Sequence, residues 1–68
     1  QLLLVKQGDA ALQLGEYDKA FDSAKNAQKL KEDDAETLVL LGSVELMKGM
    51  TRESVKHLTR AIELNPSD

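Results

Sequence analysis

The chain has 68 residues, 41 % of them hydrophobic and 31 % charged, which is the composition of one small globular domain rather than of a disordered segment. Nine Lys and Arg against twelve Asp and Glu leave a net charge of −3; nucleic acid is therefore not the expected partner, because phosphate recognition needs clustered basic groups. The absence of Cys removes disulfides, thiolate metal sites and thiol nucleophiles, and apolar runs as short as Leu2-Leu3-Leu4-Val5 leave no transmembrane span or signal peptide.

Four helices are expected in chain order. The first covers about residues 2–14, and Gly15-Glu16-Tyr17 makes a turn. The second covers about 18–31, with Ala20, Phe21, Ala24, Ala27 and Leu30 on its buried side. Lys29 and Lys31 close this helix and Glu32, Asp33 and Asp34 lead into the next, an order that complements the helix macrodipole at both ends. The third helix covers about 35–48. Its apolar residues Leu38, Leu41, Val44 and Leu46 have helical spacing rather than strand alternation. Asp33 or Asp34 can cap its start, and Asp33 with Glu36 has capping-box spacing. Gly49 ends it, as glycine accepts the left-handed conformation. Thr51 is the expected cap of the fourth helix, about 52–64, which runs through the apolar Val55, Leu58, Ala61, Ile62 and Leu64 and stops at Pro66. The only aromatics are Tyr17 and Phe21, so the core is aliphatic. A domain of this size buries roughly 60 % of its unfolded surface and is marginal unless neighbours help.

The chain also matches itself. Displaced by 34 residues, it pairs Leu4 with Leu38, Val5 with Val39, Gly8 with Gly42, Leu12 with Leu46, Gly15 with Gly49, Ala27 with Ala61, Leu30 with Leu64 and Asp34 with Asp68. Two periods follow, 1–34 and 35–68. Gly8 and Gly42 fall in helix interiors, where glycine costs about 1 kcal/mol relative to alanine. A cost repeated at the same place points to helices that approach too closely for a side chain. The two periods differ at 26 of 34 places, which argues against an idealised, engineered repeat.

With these residues in view, the chain resembles the tetratricopeptide repeat, a 34-residue helical hairpin with conserved small and aromatic sites. Leu38, Leu41-Gly42, Ser54, Leu58, Ala61 and Pro66 fall on the family pattern in the second period, and Leu4, Gly8, Ala20 and Ala27 in the first. Gly15-Glu16-Tyr17-Asp18-Lys19-Ala20 is similar to the family's turn between helices. Gln7, Ala11, Ala24, Glu32 and Glu45 depart from the pattern. The pentatricopeptide type, with a longer period and a basic inner surface, fits less well. The resemblance implies an all-α superhelix, or solenoid, of two antiparallel helix-turn-helix repeats. It also implies a non-enzymatic scaffold or adaptor for protein–protein interaction, without cofactor.

The family's inner-face positions fall here on Leu2, Val5, Asp9, Leu12 and Gln13, then on Glu36, Val39, Ser43, Leu46 and Met47. Six of these ten are aliphatic or Met, two are acidic and none is basic. The expected ligand is a peptide segment that is apolar, neutral or mildly basic. A chaperone-tail carboxylate clamp is not expected, since the places of its one Lys and two Asn in these periods are occupied by Val5, Asp9 and Leu40. The second expectation is a structural or oligomerisation segment that packs on itself, or on a larger parent protein, through uncapped ends. The start at Gln1 rather than Met fits a piece of a longer array. His57, the one histidine, has Glu53 and Ser54 at helical spacing, too few groups for a metal or a nucleophile; a solvated histidine with a local ion pair is expected.

Overall fold

A computed structural model describes residues 2–65; Gln1, Pro66, Ser67 and Asp68, and with them the expected stop at Pro66, lie outside the described residues. Four helices follow one another: α1 Leu2–Gln13, α2 Tyr17–Leu30, α3 Ala35–Met47 and α4 Thr51–Leu64. α1 packs on α2 and α3 packs on α4 as two hairpins, and α3 also lies against both α1 and α2. Among the described helices α4 packs on α3 alone.

The two hairpin turns are built alike. Gly15 and Gly49 take φ values of 80° and 81°, a conformation that costs glycine little. The Gly15 amide donates to the Leu12 carbonyl at 3.1 Å and the Glu16 amide to the Ala11 carbonyl at 2.8 Å. Gly49 and Met50 repeat this with the carbonyls of Leu46 and Glu45, at 3.2 and 2.7 Å. Both are Schellman closures, which satisfy carbonyls left free at a helix end. Glu16 and Met50 then serve immediately as the starting residues of α2 and α4, and their own carbonyls accept from Ala20 and Ser54. No residue is left over between closure and start. Met50, not Thr51, is therefore the cap of α4, and it has no side-chain cap bond.

The start of α3 is capped by Asp34. Its carboxylate accepts from the Thr37 amide at 3.1 Å and from the Thr37 hydroxyl at 2.8 Å. A side-chain cap of this kind contributes about 1 kcal/mol. Asp33 is drawn away instead to Arg60 on α4, at 2.9 Å, so the Asp33–Glu36 capping box does not form.

Missing side chains let the helices meet. A Cβ on Gly42 would stand 2.6 Å from Leu58 Cγ, and one on Gly8 would overlap Leu40. Opposite them Ala20, Ala24 and Ala27 are fully buried. The two glycine notches are filled from different places. Leu58, from the paired helix, fills the notch of its own repeat. Ala24 stands at the matching place of the first repeat and is small, and Leu40 of the next repeat enters there. Ser54, at the place of Ala20, donates from its hydroxyl to the Gly42 carbonyl at 2.7 Å. The resulting core joins Val5, Ala11, Ala20, Ala24 and Ala27 to Leu40, Leu41 and Val44.

Some apolar positions are exposed instead. Leu30, Leu46, Val55 and Ile62 face outward; Leu30 is expected on the buried side of α2, whereas Leu46 is expected on the open inner face. Helical spacing sets which way a side chain points, but no helix covers those directions. His57 also differs from expectation. It is mostly buried, and its Nδ1 lies 2.7 Å from Oε1 of Glu45, a buried carboxylate on α3. The expected partner on its own helix, Glu53, is not used.

Two stability tests follow from this packing. Gly42→Val should cost about 1–3 kcal/mol through overpacking against Leu58, with part of the loss recovered in Gly42→Val/Leu58→Ala; chemical denaturation reads both. His57→Ala, which leaves the buried Glu45 side chain without its hydrogen-bond partner, should cost about 1–3 kcal/mol. Glu45→Leu/His57→Leu should recover most of that loss.

Candidate peptide-binding face

α1 and α3 are the first helices of the two hairpins, and all ten residues expected on the inner face lie on them. Leu2, Val39, Leu46 and Met47 are open to solvent, at 54, 48, 51 and 55 % exposure. Asp9, Gln13 and Glu36 are exposed as well, and Leu12 and Ser43 are half-buried. Val5 is core, because α3 lies over it.

Between these helices lies a depression of about 540 Å3, within the usual range of ligand clefts. Val5, Asp9, Glu36 and Val39 line it together, with Ala35 and Leu40 beside them. Leu2, Leu12, Gln13, Ser43, Leu46 and Met47 do not line it. Val39 and Leu46 are seven residues apart on α3, so the apolar strip leaves the depression and continues along the same helix face.

The far wall comes from α4, through Leu58, Ala61, Ile62 and Asn65. Sequence reasoning read Leu58, Ala61 and Ile62 only as apolar residues of the fourth helix and did not place them at the site. A signal was present in the repeat itself: Leu58 and Ile62 stand where the first repeat has Ala24 and Gln28. Large apolar residues at places that are small or polar one repeat earlier mark a wall with nothing yet against it.

The charge on this face is of one sign. Asp9 and Glu36 are the only charged residues lining the depression, and neither forms an ion pair or hydrogen bond among the described residues. The inter-repeat ion pairs use other residues. Lys48 Nζ is 2.5 Å from Asp18 and 5.6 Å from the centre of the Phe21 ring. Arg60 joins Asp33 to Glu63. Leu40, at a place where a carboxylate clamp would need a polar group, is buried in the Gly8 notch. A free carboxylate arriving on this face would meet only carboxylates.

Both chain segments match the model of the tetratricopeptide repeat, over residues 3–34 and 35–68. The chain belongs to the tetratricopeptide repeat family. Repeats of this family are generally protein–protein interaction modules and typically non-enzymatic scaffolds. No curated protein sequence matches the chain significantly. No described helix is long and apolar enough to cross a membrane.

The ion pairs between repeats make the tetratricopeptide pair sensitive to acid. The hydrogen bond from Lys48, and then its charge, hold the Asp18 carboxyl below its usual 3.8. Hydrogen bonding from Arg60 does the same for Asp33, and the same bond raises Arg60 above its usual value. A lowered carboxyl stabilises the fold above the unfolded value and loses that contribution as pH falls through the folded one. Thermal melts should therefore weaken as pH is lowered from about 5 toward 2. The slope should be shallower in Asp18→Asn and Asp33→Asn.

Proposed function

We propose that the chain holds a peptide segment of a protein partner along the face shared by α1 and α3. The segment is apolar, neutral or mildly basic. The observation that carries this reading is the exposed strip Val39, Leu46 and Met47, which runs into a depression edged by the unpaired Asp9 and Glu36. Surface apolar groups in a continuous strip mark contact sites. Unbranched Met adapts to ligands of different shape. Leu2 and Leu12 extend the strip onto α1, while Ser43 offers a hydroxyl within it. The two carboxylates set sign rather than strength, disfavouring acidic segments by like-charge repulsion.

Peptide display on the chain tests this directly. Apolar or basic-apolar peptides should enrich, and Val39→Glu/Met47→Glu should lose them at least tenfold while keeping its helical circular dichroism. Asp9→Lys/Glu36→Lys should shift the enriched set toward acidic peptides. Enrichment unchanged in both variants would remove the groove reading.

A further inference from the structure

We propose that the outer face of α4 and the outer face of α1 are complementary to one another, and that two copies of this chain join head to tail through them. This goes beyond the peptide-binding reading: it shares with it only Leu58 and Ile62, the far wall of the depression, and does not involve Leu46 or Met47. The internal junction between the repeats supplies the template. There α3, Lys48 included, lies against α1 and α2. A second copy entering with α1 in the role of α3 brings Leu3, Gln7, Ala10 and Leu14 to the places of Thr37, Leu41, Val44 and Lys48. The face that receives it carries Arg52, Val55, Leu58 and Ile62 at the places of Asp18, Phe21, Ala24 and Gln28.

Burial identifies these as matching open faces. Thr37, Leu41 and Val44 are fully buried, whereas Leu3, Gln7 and Ala10 are exposed. On the other side Ala24 is fully buried, while Leu58 is half-buried and Val55 and Ile62 are exposed.

Size is exchanged between the two junctions. Inside the chain, large residues of α3 (Leu41, Val44) meet small residues of α2 (Ala20, Ala24, Ala27). At the outer junction the small Ala10, at the edge of a depression of about 510 Å3 shared with Gln7, Ala11 and Leu14, receives the large, exposed Ile62 and the part of Leu58 that the Gly42 notch leaves uncovered. Alternation of large and small across facing positions is what close packing requires.

Charge is exchanged as well. Inside the chain Lys48 bonds to Asp18 and covers Phe21. At the outer junction both members of that ion pair are replaced. Asp18 becomes Arg52, and the lysine becomes Leu14. A lysine kept at that place would face Arg52; Leu14 instead covers Val55 and the aliphatic stem of Arg52. Such a contact is heterologous, so each added copy leaves one face free and the assembly grows without closing.

Sedimentation equilibrium of the chain over micromolar to millimolar concentrations tests this. The average mass should rise above the 7.5 kDa of one chain. Ala10→Arg and Val55→Arg each block one face at an exposed helical site, and circular dichroism checks that each still folds. Each variant alone should stay monomeric. Mixed in equal amounts, they should form a species of twice the chain mass and nothing larger, through the one pair of intact faces. Leu14→Lys should weaken wild-type association, and Leu14→Lys/Arg52→Asp, which rebuilds the internal Lys48–Asp18 pair between copies, should restore it. A wild-type mass that does not rise overturns the proposal. So does growth of either arginine variant alone, a mixture that stays monomeric, or one that grows beyond two copies.

Discussion

The fold depends on two absent side chains. At Gly8 and Gly42 a leucine occupies the space that a Cβ would take, and this permits the close approach of the helices. Each glycine weakens its own helix by about 1 kcal/mol. What offsets that loss is burial of aliphatic surface at roughly 25 cal/mol per Å2, in a chain that has almost no aromatic area to bury. The alanines of α2, the Ser54 hydroxyl on the Gly42 carbonyl, and Leu40 and Leu58 in the notches all follow from the same short distance. The notches also differ in a way that matters: one is closed from within its repeat and the other by the next repeat. The first hairpin is thus completed by the second, and the two fold as a unit.

The same geometry shapes the candidate binding face. Because Leu40 and Val5 are committed to the junction, the side shared by α1 and α3 keeps only part of its apolar residues for a partner. What remains is Val39, with Leu46 and Met47 farther along α3, beside two carboxylates that no cation neutralises. In the proposed reading, a partner would recognise the face by its shape and by the sign of its charge. The ion pairs that could have supplied positive charge, through Lys48 and Arg60, are spent between repeats.

Much of this was legible in the residues, and the reasons differ. The period, the four helices, the glycine turns and the close approach at Gly8 and Gly42 are local or repeated signals, and each has one physical meaning. Asp33 and Asp34 could not be told apart, because the choice depends on Arg60, distant in sequence but near in space. Thr51 was misplaced because the Schellman closure at Gly49 delivers the chain into α4 one residue early. Leu30 was placed on a buried side because periodicity gives direction and not occupancy. Glu45 showed only as a departure from a family pattern. That a buried carboxylate there is matched by His57 required knowing which faces of α3 and α4 meet. The binding face was legible in part, since the wall from α4 depends on what is not packed against it.

The doubled role of Glu16 and Met50 has a mechanical consequence. Each is the last residue of one helical closure and the first of the next helix, so the hairpin has no slack. One residue added or removed there would turn the following helix by about 100° about its axis, presenting Ala24 or Leu58 to solvent and a polar neighbour in its place. Side chains can drift widely under such a constraint, as the 26 differences between the periods attest. Chain length cannot drift in the same way. The turn works as a ratchet on register, which keeps the spacing at 34 residues while little else is held constant.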